Sequence, residues 1–184
     1  MGGRASARVT TVKESRVPLD GALVHLRPAA AEDAATFEAI LRDPSVHRVW
    51  QSADPGADAR DLAGKDPDVA VWAIEHDGAV VGIVQAHEET DRQYRHAGID
   101  IVLASSAQDR GLGSDAVRAV ARWLIEARGH HRLTIDPATS NSRAIAAYAK
   151  VGFRPIGVMR QYEGDLDGSW HDGLLMDLLA DELT

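Results

Sequence analysis

The sequence contains no cysteine among its 184 residues. Disulfide bonds, cysteine-ligated zinc sites and acyl-cysteine intermediates are therefore excluded. The sequence also lacks any run of about 18 apolar residues, which is the length that a membrane-spanning helix needs. Its N-terminus lacks the continuous apolar segment of a secretory signal. We therefore expect a cytoplasmic protein that has no membrane partner.

Basic residues are fewer than acidic residues, 20 against 28, and the formal net charge is −8. Binding to nucleic acid irrespective of sequence needs a basic surface, so this balance argues against such a function. It is compatible with a cationic small-molecule partner. Seven of the acids fall between Glu163 and Glu182, a stretch without lysine or arginine. They form either a solubilising segment or a negative field around a binding cleft.

The hydrophobic pattern predicts one domain over residues 21–184, preceded by a flexible tail over residues 1–20. Alternation of apolar and polar residues predicts strands near residues 23–27, 69–75, 79–87, 97–103, 132–135, 153–159 and 170–179. Apolar residues at helical spacing predict helices near residues 34–41, 59–63, 114–128 and 141–151. The Asp77-Gly78 pair predicts a tight hairpin turn. Hairpins and crossovers together indicate an α/β protein with a mixed sheet that is flanked by helices.

A loop with two glycines, Gln108-Asp109-Arg110-Gly111-Leu112-Gly113-Ser114, precedes the third predicted helix. Such a loop turns tightly and brings backbone N–H groups close to an anion, and the helix directs its positive dipole end to the same place. The Lys-Ser/Thr pair of a P-loop and the third glycine of a dinucleotide fingerprint are both absent. The loop is therefore either a phosphate cradle of another kind or an ordinary turn between a strand and a helix.

The segment Gln108-x-x-Gly111-x-Gly113 before a helix resembles the acetyl-coenzyme A loop of the GNAT N-acetyltransferases. Two further segments are similar to this family: Leu26-Arg27-Pro28 with Glu32-Asp33, and Asn141-x-x-Ala144-Ile145-x-x-Tyr148-x-Lys150-x-Gly152-Phe153. The resemblance covers about residues 22–180. It implies a GNAT fold, in which about four helices flank a twisted, mostly antiparallel sheet of six to seven strands. It also implies direct acetyl transfer from acetyl-CoA to an amine, without a metal or a covalent enzyme intermediate.

Within the family, three segments resemble the aminoglycoside 6′-N-acetyltransferases, which are antibiotic-resistance enzymes. They are Glu88-Glu89-Thr90-Asp91, Gly98-Ile99-Asp100 and Thr134-Ile135-Asp136-Pro137. This resemblance implies that an aminoglycoside is the acceptor. A protein N-terminus, a polyamine or another metabolite amine stays open as acceptor, and so does a coenzyme A sensor without turnover. The protein is expected to be a monomer or a homodimer.

The family resemblance assigns a set of cofactor-binding residues. The backbone N–H groups that would hold the pyrophosphate belong to Arg110, Gly111, Leu112, Gly113 and Ser114, with Gln108 in the same loop. The backbone of Ile101, Val102 and Leu103 would pair with the pantetheine arm like an added strand, and one N–H there would polarise the thioester carbonyl. Asn141 either contacts the cofactor or caps a helix, and the two roles are compatible.

The catalytic candidates are Tyr148, Asp100 and Asp136. The resemblance makes Tyr148 the acid beside the leaving thiolate and a cofactor contact, whereas the pattern alone is also typical of a packed aromatic side chain. The predicted strands place Asp100 and Asp136 next to each other, and by resemblance they bind the acceptor's ammonium groups and accept its proton, either directly or through water. Asp136 is alternatively a turn residue before Pro137. An acid within the apolar run at residues 99–103 is costly unless it is solvated or paired.

Three further residues complete the predicted site region, and one pair is set apart from it. Glu88 and Glu89 end a strand, and alternation places one of them in the substrate cleft. Trp50 either stacks on a sugar ring of the acceptor or covers the cleft. The adjacent pair His130-His131 points in opposite directions on extended backbone, so we interpret it as turn residues rather than a metal site.

Overall fold

A computed structural model describes residues 17–64 and 69–184 of the chain. Eight strands form one sheet in the order β1-β2-β3-β4-β5-β6-β8-β7. The strands are β1 (Leu19–Asp20), β2 (His25–Pro28), β3 (Val69–His76), β4 (Ala79–Glu89), β5 (His96–Leu103), β6 (Arg132–Ile135), β7 (Arg154–Gly164) and β8 (Trp170–Leu179). The α-helices are α1 (Ala34–Leu41), α2 (Pro44–His47), α3 (Pro55–Leu62), α4 (Leu112–Glu126) and α5 (Ser142–Ala149).

The predicted mixed, mostly antiparallel sheet is confirmed, because β5 and β6 pair in parallel and the other neighbouring strands pair antiparallel. The sheet has one strand more than predicted, and one more helix is present. The additions are β1 and α2, with two and four residues, which are too short to produce a periodic pattern. Leu19 and Asp20 belonged to the predicted tail, whose boundary is therefore corrected. Residues 1–16 of that tail lie outside the described residues.

The turn between β3 and β4 is the predicted tight hairpin. Asp77 and Gly78 both have positive φ, 52° and 77°. Two consecutive residues with positive φ are typical of a type I′ turn, whose twist matches the flanking strands. The turn therefore sets the start of the long pairing between β3 and β4.

The two faces of the sheet are buried by different helices. Helices α1–α3 pack on the face that carries Val71, Ala73, Ile83 and Val102. The opposite face packs on α4 and α5, and its buried strand residues include Trp72, Ile74, Val84, Ala86, Ile99 and Leu133. Since successive strand residues alternate between the faces, Asp100 shares the α1–α3 face with its neighbour at i+2, Val102.

The strands β5 and β6 separate soon after they meet. Their pairing joins Ala97 to Leu133 and Gly98 to Thr134. Beyond these pairs β6 ends at Ile135, and the chain reaches Pro137, whose backbone has no N–H. The Pro137 carbonyl accepts a 2.8 Å hydrogen bond from the Leu174 N–H of β8. The sheet consequently opens between β5 and the segment that follows β6.

A buried carboxylate at the start of α4 holds the turn between β1 and β2. Asp115 accepts hydrogen bonds from the backbone N–H groups of Ala22, Leu23 and Val24 at 3.0, 2.7 and 3.1 Å. A Cβ atom at Gly21 would lie 2.2 Å from a carboxylate oxygen of Asp115, so only glycine allows this close approach. The contact joins the N-terminal edge of the sheet to the helix that follows the glycine loop.

Replacement of Asp115 by alanine is expected to destabilise the protein by about 2–3 kcal/mol, because three backbone N–H groups lose their acceptor. In a chain of this size, that loss lowers the melting temperature by about 5–10 °C. Glu126→Ala in the same helix is the control, because Glu126 is exposed and its replacement removes no such contact. Equal melting temperatures for both variants would show that Asp115 does not stabilise this turn.

A second buried carboxylate links β4 to the segment after α4. The Oε1 and Oε2 atoms of Glu88 accept hydrogen bonds from the Arg128 guanidinium at 2.8 and 2.9 Å, and His130 Nε2 lies 3.1 Å from Oε1. Burial raises the pKa of Glu88, but the hydrogen bonds and charges of Arg128 and His130 outweigh it and lower that pKa from 4.5 to about 2. The ionised carboxylate therefore stabilises the folded state.

Replacement of Glu88 by glutamine is expected to destabilise the protein by about 3 kcal/mol at pH 7. Because the pKa of Glu88 is lower in the folded chain, its contribution is complete above about pH 5 and is lost as the pH falls towards 2. Urea unfolding at several pH values should therefore show the difference from the unmodified protein shrinking by more than half at pH 3. Glu89→Gln, an exposed neighbour, is the control. A difference that stays constant from pH 7 to pH 3 would contradict this assignment.

Candidate active site

The glycine loop presents uncapped backbone N–H groups at the start of α4. Asp109 and Gly111 have positive φ, 59° and 80°, on either side of Arg110. Gly111 is the N-cap residue of α4 and supplies no side-chain acceptor. Such alternation of backbone conformation at a helix N-terminus makes an anion-binding concavity. The Gln108 side chain donates a 3.0 Å hydrogen bond to the Leu103 carbonyl, which fastens the loop to the end of β5.

The loop borders a cavity of about 320 Å³, named the glycine-loop cavity, which lies between β5, the loop and α5. Most of the predicted cofactor-binding residues line it: Ile101, Val102, Leu103, Gln108, Gly111, Leu112, Gly113, Ser114, Asn141 and Tyr148. Arg110 is the exception, because its exposed guanidinium lies 3.0 Å from His76 Nε2, away from the cavity. Only the backbone N–H of Arg110 stays a candidate contact.

The sequence interpretation missed two basic residues of this cavity, Arg143 and Lys150. Both lie at the ends of α5, seven residues apart, so they share one side of the helix. Arg143 is also 3.7 Å from Asp109 of the glycine loop. Two cations beside a concavity of N–H groups favour a ligand with several negative charges. The spacing of these residues along the predicted helix was the signal that could have found them.

The edge of β5 is available to an extended ligand. Pairing with β6 ends at Gly98, so among the described residues the backbone of residues 99–103 has no strand partner on that side. Ile101, Val102 and Leu103 lie along the glycine-loop cavity. An extended chain can therefore add to this edge in the manner of another strand.

Asn141 caps α5, as one of the two predicted roles required. Its side-chain oxygen accepts a 3.1 Å hydrogen bond from the Ala144 N–H. Asn141 also borders the glycine-loop cavity, so capping places its side chain beside any ligand there. The cap fixes the start of the helix that carries Tyr148.

Tyr148 lies where two cavities meet. It borders the glycine-loop cavity and a neighbouring cavity of about 330 Å³, named the carboxylate cavity after Asp100, Asp136 and Glu163 in its wall. The tyrosine is 9% exposed, and its ring lies 6.3 Å from that of Phe153. Burial, assisted by the charges of Asp100 and Asp136, raises the pKa of Tyr148 above its usual value of 10. Its hydroxyl therefore keeps its proton and is available as a hydrogen-bond donor to a ligand.

The two predicted catalytic aspartates are brought together. Asp100 of β5 and Asp136, directly after β6, border the same cavity. Burial raises the pKa of Asp100 and the nearby Asp136 adds to the rise, although a 3.0 Å hydrogen bond from Gln85 opposes it. Asp136 accepts a 2.5 Å hydrogen bond from the Tyr162 hydroxyl, which raises the pKa of Tyr162 to about 12. A carboxylate with a raised pKa is suited to accepting a proton.

Trp50 borders the carboxylate cavity as predicted, together with Gln51, which the sequence did not reveal. The Gln51 side chain donates a hydrogen bond to Asp165 and accepts one from the Leu166 N–H at 2.7 Å. These contacts join the segment between α2 and α3 to the β7–β8 hairpin. Two parts of the chain that are 114 residues apart are thereby held together at the side of the cavity.

Glu88 and Glu89 require a correction, because neither borders the carboxylate cavity. Glu88 is buried against Arg128 on the other side of β4, and Glu89 is exposed and accepts a hydrogen bond from the Asp91 N–H. The residues of β4 that approach Asp100 are instead Gln85, whose side chain donates the 3.0 Å hydrogen bond, and His87, with 3.9 Å between His87 Nδ1 and Asp100 Oδ2. Alternation correctly predicted that successive residues of β4 point to opposite faces of the sheet. Which of these residues face Asp100 depends on the register between β4 and β5.

The seven acids between Glu163 and Glu182 fall into two groups, one at the cavity and one with local structural contacts. Glu163 borders the carboxylate cavity, whereas most of the other six stabilise local structure. Asp177 pairs with Arg132 at 2.8 Å, Glu182 pairs with Arg154 at 3.0 Å, and Asp172 accepts from the Gln161 N–H at 2.8 Å. The predicted field around the cleft thus reduces to Glu163 from this stretch, beside Asp100 and Asp136.

The pair His130-His131 lies between α4 and β6, and the two side chains point in opposite directions. His130 is 2% exposed beside Glu88, and His131 faces solvent. In the described part of the chain, no group of three or more His, Cys, Asp or Glu side chains is arranged so that it could hold a metal ion. Within those same residues, no helix is long and apolar enough to cross a bilayer.

Two known acetyltransferases are similar to this chain in sequence, over different shares of its length. Aminoglycoside N(6′)-acetyltransferase type 1 of Klebsiella pneumoniae is 40% identical over 78 residues, which are 42% of this chain and 38% of that protein. Spermidine N(1)-acetyltransferase of Escherichia coli (strain K12) is 25% identical over 158 residues, 83% of this chain and 84% of that protein. The chain therefore matches well under half of the length of the first relative and most of the second.

The solved structure of Mycobacterium smegmatis RimJ in complex with CoA-disulfide has the same fold. Its TM-score is 0.75 at 27% identity, and the match covers 91% of this chain and 88% of that chain. Residues 24–154 match the family model described as an acetyltransferase (GNAT) domain. Since this match runs from the turn before β2 to the start of β7, the chain belongs to the family of acetyltransferase (GNAT) domains.

Proposed function

We propose that this chain transfers the acetyl group of acetyl-CoA to a primary amine of a cationic small molecule, with the 6′-amine of an aminoglycoside as the first candidate. The position of Tyr148 carries the proposal, because this residue borders both the glycine-loop cavity and the carboxylate cavity. A thioester in the first cavity and an amine in the second would meet beside its hydroxyl. Direct transfer between bound partners needs this juxtaposition.

The glycine-loop cavity suits coenzyme A in three respects. The N–H groups of residues 110–114 face a pyrophosphate, and Arg143 and Lys150 add positive charge. The free edge of β5 pairs with the amide groups of the pantetheine arm, and an N–H of that edge polarises the thioester carbonyl. The similarity to RimJ, solved with CoA-disulfide, supports this assignment.

The carboxylate cavity suits an acceptor with more than one ammonium group. An amine attacks a thioester only after it has lost a proton, and Asp100 accepts that proton. Asp136 and Glu163 hold the remaining positive charges of the acceptor. Tyr148 then donates a hydrogen bond to the departing thiolate, which stabilises its negative charge.

A polyamine is the second candidate acceptor. The spermidine N(1)-acetyltransferase aligns with 83% of this chain, whereas the aminoglycoside enzyme aligns with 42% at higher identity. Both acceptors are flexible or bulky polycations, so three carboxylates in one cavity favour either over an uncharged amine. The acceptor's shape, rather than its charge, distinguishes the two candidates.

Release of free thiol from acetyl-CoA by the purified protein tests the proposal, with kanamycin, spermidine and a peptide with a free N-terminus as acceptors. We expect turnover with at least one polycation and little with the peptide. Turnover with the peptide alone would contradict the proposed substrate class. Thermal stabilisation by coenzyme A without turnover on any amine would indicate a sensor, and absence of stabilisation would refute the cofactor assignment.

Replacement of Tyr148 by phenylalanine is expected to lower kcat about 10–100-fold, because the thiolate loses its hydrogen-bond donor. The thermal shift caused by coenzyme A should persist, since the ring still packs near Phe153. Tyr94→Phe is the matched control, because Tyr94 is 72% exposed. Unchanged kcat in the Tyr148 variant would remove this residue from the mechanism.

A further inference from the structure

Acetylation of an ammonium group releases one proton to solution in each turnover. The acceptor R–NH₃⁺ loses two protons as its new C–N bond forms and the C–S bond of the thioester breaks. One proton ends on the coenzyme A thiol, and the other has to leave the site. If Asp100 takes this second proton, as the proposed function requires, a path from Asp100 to solvent is needed while acceptor and cofactor fill both cavities.

His87 is positioned beside Asp100 on the neighbouring strand. His87 pairs with Gly98 across β4 and β5, and its Nδ1 lies 3.9 Å from Asp100 Oδ2. A Cβ atom at residue 98 would lie 2.1 Å from His87 Cε1. The imidazole therefore lies across the space that the missing side chain leaves, and this glycine allows the ring to approach the carboxylate.

A separate opening connects this histidine to solvent. His87 and Asp100 both border a cavity of about 240 Å³, named the histidine cavity, whose wall also contains His96, Arg132, Asp136 and Tyr162. The His87 side chain is 52% exposed and the Asp100 side chain 33%. The two cavities share Ile99, Asp100 and Asp136, but His87 borders the histidine cavity and not the carboxylate cavity, so it lies on the side of Asp100 away from an acceptor held there.

We propose that His87 carries the acceptor's proton from Asp100 to solvent through the histidine cavity. Protonated Asp100 gives its proton to His87, and the resulting imidazolium gives a proton to water, so that Asp100 is ionised again and the ring is neutral again. A rotation of the half-exposed ring or one bridging water spans the 3.9 Å separation. Histidine is suited to this step because it exchanges protons near neutral pH.

Other charged or titratable groups also lie around this ring. They are Asp100 and His96 on β5, Glu89 on β4, Arg132 on β6, Asp136 after β6 and Tyr162 on β7. Arg132 pairs with Asp177, and Tyr162 donates its hydroxyl hydrogen to Asp136, so these side chains are already engaged. His87 is the histidine of this group that lies within 4 Å of Asp100.

Replacement of His87 by glutamine tests the relay in steady-state acetylation with the best polycationic acceptor. In dilute buffer we expect kcat to fall about tenfold or more, with little change in the KM of either substrate. Added imidazole should restore kcat in a concentration-dependent manner, because a free base replaces the missing ring. The pH dependence of kcat should shift as well, whereas a purely structural role would leave it unchanged.

His96→Gln is the matched control. His96 borders the same cavity and is half-buried, but its Nδ1 lies 2.7 Å from the Tyr94 carbonyl, and no contact joins it to Asp100. We expect this variant to keep the kcat, the pH profile and the imidazole response of the unmodified protein. Equal loss in both variants would overturn the relay.

Two other results would also overturn it. One is a His87 variant with unchanged kcat in dilute buffer, and the other is a loss of activity that imidazole does not restore. The proposed function fails separately, when the unmodified protein acetylates no amine at all. Activity of the unmodified protein together with full activity of His87→Gln refutes only the relay.

Discussion

The candidate site depends on how briefly β5 and β6 pair. Two residue pairs hold these parallel strands together, β6 ends at Ile135, and Pro137, whose backbone lacks an N–H, follows soon after. The chain turns instead towards β8, where the Pro137 carbonyl accepts from the Leu174 N–H. A continuous sheet would bury the β5 edge in strand pairing and close the space at Tyr148. The separation leaves that edge free and lets a cofactor and an acceptor approach from different cavities.

The same separation gathers negative charge. Asp100 comes from β5, Asp136 follows β6 and Glu163 lies on β7, so three segments contribute a carboxylate to one cavity. Like charges at short range destabilise each other, and the raised pKa of Asp100 reflects burial first and the repulsion from Asp136 second. A polycation relieves this repulsion when it binds. Under the proposed function, the electrostatic cost in the free protein becomes selectivity for positively charged acceptors.

Local signals predicted the fold well, whereas long-range register decided the site. The Asp77-Gly78 turn, the glycine loop and the amphipathic α4 each follow from a few adjacent residues. The side of β4 that faces Asp100 does not, because it is set by pairing His87 with Gly98, and this is why Glu88 was wrongly placed. Contacts between distant segments, such as Gln51 with the β7–β8 hairpin, left no local pattern in the sequence.

The charge and the shape of the carboxylate cavity are controlled by different parts of the molecule. The carboxylates that attract an ammonium group are carried on or next to the sheet, whose register and hydrogen bonds fix their positions. The walls near Trp50 and Gln51 belong to connecting segments, which accept insertions and substitutions more readily than strands. Aminoglycosides and polyamines present similar charges but different widths. Under the proposed function, selection between them therefore falls to the segment between α2 and α3 and to the hairpin that Gln51 binds, while the proposed chemistry at Asp100 and Tyr148 stays the same.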